Sequence, residues 1–558
     1  MPGHPQGLGH HMLDRRLAVP RTATVPSLPN SIPGLTLRGH AVAGAGFVLT
    51  EEALRLLTDL ERTFRARRAE LLQRRASAQA EFDAGRRLDF LAATREVRES
   101  EWSVAPAPVD LRDRRVELRG PVDREPLLAA LRSEASAFVA DLEDALAPKW
   151  QNVIDAQVNL RDAVRRELRH VDSASHAALE LPDGRLPTLI VRPRAWHRVE
   201  KHVLVDGTPV SAALFDFALF TAHSARTLVA RGGGAYFELP RLENHLEARL
   251  WNDVFVHAED ALGLTRGALR ASVRIETLPA AFEMEEILFE LREHSAGLGV
   301  GRDDYLCSFV RTFRAVRGRL LPDRSAMGPT QPFLRALDEL RVQTCHRRGA
   351  HALGGTIARL PLDGDPDETR RALDEVALDA RREARAGHDG TTVAHPRFVG
   401  VARMEFDPVL TDENQLARLR EDVRVGATEL LAAPAGAITG AGLVASLDLG
   451  LERLEARLAG GTRRARPGRF EDAAAFELAR AQVWQWLHHR AQLDDGRVVD
   501  QELVLELLAE VVALARLRLG EEAFARSRYP LAADLFGRAL LSREFDGALA
   551  AAADAHLD

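Results

Sequence analysis

ASVRIETLPAAFEMEEILFELREHSAGLGVGRDDY, residues 271–305, holds the pattern that decides the fold. Two short apolar runs, ASVRI and AGLGV, flank a stretch of helical character, and a carboxylate follows each: Glu276 after the first, Asp304 after the second. Strand, helix and strand in that order form the βαβ unit of a parallel sheet. The same alternation extends outward from this stretch. RRVELRG, AFVADLED, TLIVRPR and AYFELPR precede it, and AHALGG and TTVAHP follow it. Eight candidate strands alternating with helices predict α/β architecture closed into a (β/α)₈ TIM barrel rather than an open doubly wound sheet. Groups at the C-terminal ends of barrel strands share one mouth, which would gather Glu143, Arg192, Glu276 and Asp304.

The flanks read differently. Residues 1–45 are rich in Pro, Gly and His without a period and are expected to be irregular. Thr50 before Glu51 and Glu52 is a helix start, and Leu54, Leu57, Leu60, Phe64, Leu71 and Leu72 continue at helical spacing, so 46–110 is expected to form a helical clasp. The barrel is assigned to 111–424. Beyond it strand signals stop, and Leu503, Leu507, Leu508, Val511, Leu514 and Leu517 mark an amphipathic helix closed by Gly520. Residues 425–558 are therefore expected to be a helical plug. Gly440-Ala-Gly442 superficially matches a dinucleotide fingerprint, but no strand precedes it, and a helix-to-helix turn is the better reading.

Composition narrows the function. A net charge of −7, with arginines interspersed among acids, gives no drive toward a phosphate backbone, so nucleic acid is not an expected partner. Lysine occurs only at Lys149 and Lys201, neither in a Gly-rich loop, which excludes a Walker A site. Two cysteines, Cys307 and Cys345, make no disulfide framework or zinc site and suit a reducing cytoplasm. The first residues lack an apolar signal core, and no apolar run reaches the roughly 18 residues of a membrane span, so a cytoplasmic protein without membrane association is expected.

Several longer stretches carry a resemblance. PVDLRDRRVELRGPVDR (108–124), VADLEDALAPKW (139–150), LIVRPRAWH (189–197), YFELPRLENHLEARLWNDVF (236–255), the opening stretch, CHRRGAHALGG (345–355), GHDGTTVAHP (387–396) and FEDAAAFELARAQVWQW (470–486) resemble, in order, the A-type malate synthases of bacteria and plants. The resemblance runs from about residue 48 to the C-terminus and implies a TIM barrel with an N-terminal clasp and a C-terminal plug. It implies Mg²⁺-dependent Claisen condensation of acetyl-CoA with glyoxylate, then hydrolysis to malate and CoA, as in the glyoxylate cycle. By motif position it makes Glu276 and Asp304 the metal ligands, Arg192 the catalytic arginine and Asp472 the catalytic base. Asp141 and Glu143 would stand behind metal-bound water. It does not identify the residues that contact CoA, nor the oligomeric state.

The chemistry suits these residue types. Hard Mg²⁺ takes oxygen ligands and keeps positions for water and a chelating 2-oxo acid. A carboxylate removes the weakly acidic methyl proton of acetyl-CoA, and a fixed cation stabilises the enolate, worth on the order of 3 kcal/mol by analogy with an oxyanion-hole donor. Taken singly, Arg192 reads equally well as an ion-pair partner of Glu143 or Asp141, and Asp472 as an acid at a helix start. The histidines at 294, 351, 388 and 395 read as structural.

The sequence departs from the family near the mouth. The family's GLNxGRWDY is GLGVGRDDY here, with Gly299 for asparagine and Asp303 for tryptophan; Thr392 replaces a tryptophan, Thr356 a methionine, and NSGAK becomes RSEAS. Fewer bulky groups imply a roomier or more polar pocket, with Asp303 turned outward or paired by Arg302. The alternatives to an ordinary family member are a related acyl-CoA/2-oxo acid condensing enzyme, a CoA-ester lyase with altered substrate, or a non-catalytic metabolite-binding paralogue.

Overall fold

The computed structural model describes residues 32–171, 177–362, 364–461, 469, 471–545 and 549–557. All eight expected strands form. They are β1 (Val116–Gly120), β2 (Ala137–Asp141), β3 (Thr188–Arg192), β4 (Ala235–Leu239), β5 (Leu269–Ile275), β6 (Ser295–Val300), β7 (Leu353–Ile357) and β8 (Gly390–Val393). Each pairs in parallel with its sequence neighbour, β8 returns to β1, and a parallel bridge between Leu298 and Ala352 closes the ring between β6 and β7. Near-continuous burial of every strand is what a parallel sheet wrapped in helices demands.

α1 (Glu51–Asp83) is the expected clasp helix. Thr50 caps it by accepting from the Ala53 N–H at 3.4 Å, and its apolar face packs on helices Ala212–Ala230 and His245–Leu262. Arg75 fixes the far end through two 2.6 Å hydrogen bonds to Glu247. Of the segment expected to be irregular, residues 1–31 lie outside the described residues, while Leu35–Leu37 forms a short strand paired antiparallel with Val199–Val205. Three residues are too few to show alternation in a sequence.

Past the barrel mouth lie α2 (Arg302–Thr312), which follows β6, and α3 (Pro366–Ala386), which follows β7. The tail is helical: α4 (Gly440–Leu458) begins at the Gly440-Ala-Gly442 segment, capped by Thr439, and α5 (Ala473–His488) packs against both α4 and α2. The helix Gln501–Leu519 ends at Gly520, whose φ is +81°. These helices share an apolar core of their own, including Leu447, Phe476, Trp486 and Phe536, so the tail is held on the barrel as a packed unit.

Closure depends on close approach of β8 to β1. A Cβ on Gly390 would lie 1.8 Å from the backbone oxygen of Arg114, where no side chain can yield. Gly390→Ala is therefore expected to destabilise the barrel by at least the roughly 1–3 kcal/mol typical of overpacking, visible as a lowered melting temperature by circular dichroism. A wild-type melt would mean that the β8–β1 register is wrong.

Candidate active site

The strand ends deliver charge. Arg192 ends β3, Glu276 follows β5, and Asp141 ends β2 with Glu143 and Asp144 in the turn beyond. All five side chains are buried. Arg192 Nη1 donates to Glu276 Oε1 at 2.9 Å and Nη2 to Asp144 Oδ2 at 2.6 Å, while its Nε lies 3.4 Å from Asp141 Oδ1. Asp141 Oδ1 accepts from the Glu143 and Asp144 N–H groups and shapes the turn; Oδ2 accepts from Arg119 at 3.1 Å. Glu143 accepts from the Ala195 N–H at 2.9 Å. Burial opposes its ionisation, but Arg241 and Arg198 hold it at about 2.

Arg241 was not anticipated, and it is the hub. Its Nη2 reaches Asp144 Oδ1 at 2.6 Å and Asp304 Oδ1 at 3.0 Å, Nη1 reaches Glu143 Oε1 at 3.2 Å, and its backbone N–H donates to Glu276 Oε2 at 2.9 Å. Its φ of +54° lies in the left-handed region, which costs a non-glycine residue on the order of 1–3 kcal/mol and persists only where the surroundings enforce it. No sequence periodicity marks such a residue.

Glu276 and Asp304 stand between two cavities. One, of about 420 Å³, opens toward α1 and is bordered by His197, Cys307 and Arg480. The other, of about 320 Å³, is bordered by Glu276, Asp304 and Asp144 on the barrel side and by Asp472 on the plug side. Only the second brings together the carboxylates singled out in the sequence, and it is the candidate site. Arg192 does not border it; it lies directly beneath Glu276.

Asp472 is the N-cap of α5, accepting from the Ala475 N–H at 3.1 Å, as its reading as an acid at a helix start requires, and it also borders the cavity. Burial, with repulsion from Asp144, Asp303 and Asp141, raises its carboxyl to about 7. For Asp304, burial and repulsion from Asp144 and Glu276 outweigh Arg241, so its carboxyl lies well above the ordinary range.

The donor set suits a hard divalent cation: Glu276 and Asp304 present carboxylate oxygens to one cavity, and the crowding that raises Asp304 is what such a cation relieves. Among the described residues no three acidic, histidine or cysteine side chains are arranged around one metal position. Arg241 bridges Asp144 to Asp304 instead. The residues thus fit a site with two protein carboxylates, completed by water and substrate.

The departures behave otherwise than their sizes suggest. Asp303 is paired by Arg324 at 2.6 Å, not by Arg302, and Arg324 also binds Glu471 at 2.8 and 2.9 Å. Although burial opposes it, Arg324 keeps Asp303 below the usual carboxylate range. Thr356 borders the cavity; Thr392, its partner across β7 and β8, is buried within the barrel. Space beside Gly299 is not empty, because a Cβ there would lie 3.6 Å from Arg274 Cγ and 3.7 Å from its Nη1. The expected roomier pocket is filled in part by a guanidinium.

Known proteins place these features in a family. Residues 34–96, 188–433 and 437–557 match the models for the malate synthase N-terminal domain, TIM barrel domain and C-terminal region. The chain is 47% identical over 498 residues to malate synthase of Myxococcus xanthus, spanning 89% of this chain and 91% of that one. It is 47% identical over 531 residues to malate synthase of Streptomyces clavuligerus (94% and 97%) and 42% over 541 residues to that of Oryza sativa subsp. japonica (94% and 95%).

The raised Asp472 carboxyl has a thermodynamic consequence. A group whose folded-state value is about 7 instead of the ordinary 3.8 binds a proton more tightly in the folded chain, so stability falls as pH rises between those values and the loss is complete above about 7. Asp472→Asn preserves the cap and removes the charge. The metal-free variant should melt higher than wild type at pH 8 and match it near pH 4; equal melting at pH 8 would show that the carboxylate is not disfavoured there.

Proposed function

This chain belongs to the malate synthase family, and we propose that the cavity between Glu276, Asp304 and Asp472 is where it condenses acetyl-CoA with glyoxylate to give malate and CoA. The observation that carries this reading is the convergence of two carboxylates from the barrel with a third, of raised affinity for protons, supplied by a separate helical unit. A non-catalytic binder needs no base facing the acceptor site.

In this reading Glu276 and Asp304 hold a magnesium ion, which supplies Lewis-acid polarisation of the acceptor carbonyl when bound. Asp472 takes the proton from the acetyl methyl group; a base near neutrality combines driving force with the right protonation state. The resulting carbon nucleophile adds to the glyoxylate aldehyde carbon, and water then cleaves the thioester. Arg192 acts through its partners: its bonds fix Glu276 and Asp144 in orientation and place a cation beneath the reacting groups. Asp141 holds the turn that presents Asp144, and Glu143 anchors Arg241. Among the described residues no helix is long and apolar enough to cross a membrane.

Thiol release from acetyl-CoA with glyoxylate and Mg²⁺ tests the reading. Glu276→Ala or Asp304→Ala should abolish metal-dependent release and leave the circular dichroism spectrum unchanged; normal turnover by either variant would remove the metal assignment. Asp472→Asn should lower kcat by about 10²–10⁴ with little change in glyoxylate binding, and should end deuterium exchange at the acetyl methyl. Because the base works ionised, kcat/KM should fall tenfold per pH unit on the acid side of about 7, or of a lower value where bound cation draws Asp472 down. A profile flat to pH 5 in wild type and lost exchange in no variant would point to another base.

A further inference from the structure

Six arginines border the reaction cavity: Arg119, Arg274, Arg302, Arg324, Arg359 and Arg469. Five have carboxylates of the chain beside them: Asp141, Glu238, Asp303, Glu375 and Glu471 respectively for Arg119, Arg274, Arg324, Arg359 and Arg469. Arg302 alone, among the described residues, has no hydrogen bond or ion pair. Its Nη2 lies 3.7 Å from where a Cβ on Gly355 would stand. Arg274 Nη2 donates to the Val300 carbonyl and lies 3.5 Å from Thr356 Oγ1, and that carbonyl oxygen is 3.9 Å from the same Cβ position. Arg302 thus approaches Gly355 directly and Arg274 is linked to it through the Val300 carbonyl, and Arg274 Nε lies 3.4 Å from Glu276 Oε1.

We propose that Arg302, with Arg274, forms a subsite for a second carboxylate on the acceptor, so that the cavity takes 2-oxo diacids as well as glyoxylate. This rests on the condensation reading above. An acceptor whose 2-oxo acid end lies beside Glu276 leaves Arg302 without a hydrogen-bonded anion, while Arg274 is already paired with Glu238 and Glu276. A guanidinium facing a confined cavity is matched by a planar carboxylate, bound through charge-assisted hydrogen bonds. The donor acyl group must turn its methyl to Asp472 on the plug, so the group directed along Glu276 toward Gly355 belongs to the acceptor. Gly355 leaves room for it, since a Cβ there would make only ordinary contacts of 3.6–3.9 Å. The reaction balances without a further reagent: the methyl C–H breaks with its proton on Asp472, a C–C bond forms to the oxo carbon as its C=O π bond breaks, the resulting alkoxide takes that proton back to become the hydroxyl, and water cleaves the thioester C–S bond with its OH on the acyl carbon and its proton on the CoA sulfur. The products are a hydroxy-tricarboxylic acid and CoA.

The test compares glyoxylate, pyruvate, oxaloacetate and 2-oxoglutarate as acceptors for acetyl-CoA with Mg²⁺, by thiol release and by mass of the product, alongside calorimetric binding of the two diacids to the same protein. Wild type should turn over and bind at least one diacid better than pyruvate. Arg302→Met should lower the diacid-to-glyoxylate ratio of kcat/KM by about 30-fold or more, as loss of a charge-assisted contact implies, and weaken diacid binding in parallel. Gly355→Ala, which narrows the subsite while keeping Arg302, should shift the ratio the same way. Turnover of glyoxylate with no diacid bound or used would overturn this proposal and leave the condensation reading standing. Equal loss toward both acceptors in Arg302→Met would overturn the role of Arg302, and preference for a carboxylated acyl-CoA with glyoxylate would overturn the assignment to the acceptor. Absence of thiol release with every acceptor would count against the condensation reading; Arg302-dependent diacid binding would still decide the subsite.

Discussion

Six carboxylates, those of Asp141, Glu143, Asp144, Glu238, Glu276 and Asp304, and four guanidiniums, those of Arg119, Arg192, Arg241 and Arg274, are packed at the mouth of the barrel, all buried except the partly exposed Asp304 and Arg241. Removing such groups from water is costly, and each must recover the cost from close partners. The consequence is a lattice in which few members move alone: Arg192 joins Glu276 to Asp144, and Arg241 joins Asp144 to Asp304 and Glu143. Acids outnumber bases in it. Burial together with that excess raises the carboxyl of Asp304, and the site gains from any cation placed between the acids.

The plug answers the same constraint. Asp472 is carried into an already anionic cavity, where burial and three neighbouring carboxylates oppose its ionisation. It is held there by more than its helix. Glu471, adjacent in sequence, binds Arg324, and Arg324 binds Asp303 at the start of α2. A carboxylate at 303, read from the sequence as turned outward or paired, thus ties barrel to plug and helps set Asp472 opposite Glu276 and Asp304. The strain at Arg241 and the raised carboxyl of Asp472 are both disfavoured states kept by surrounding packing, which is the usual condition of a reactive site.

The barrel was legible because each strand is short, apolar and followed by a helix, a repeated pattern that averages out local ambiguity. The ends of those strands were legible too, so Glu276, Asp304 and Arg192 fell at one mouth. Asp472 was a different matter. Its residue type and helix-start position say only that it caps a helix, and its placement opposite the barrel depends on how the tail packs, which no local spacing encodes. Asp144 and Arg241 were missed for a related reason. One lies in a turn next to the more conspicuous Asp141 and Glu143, and the other acquires its role through a left-handed backbone set by tertiary contacts. Leu35–Leu37 owe their strand to pairing with a distant hairpin.

Lost side-chain volume at the mouth is accompanied by charge, and the reason is general. Gly299 and Thr356, smaller than the family residues they replace, both lie against Arg274, whose stem crosses the glycine and whose head approaches the threonine hydroxyl at 3.5 Å. A protein interior close-packed like a crystal does not keep a void where a neighbour can reach into it. Positions 299 and 356 are therefore both bordered by a long cation, and the smaller side chains there stand against a guanidinium. In the diacid subsite proposed above, such a pocket would select by the anions it can pair more than by the bulk it can admit, since a guanidinium without a hydrogen-bonded anion in a confined cavity, as at Arg302, weighs more than a methylene of extra room.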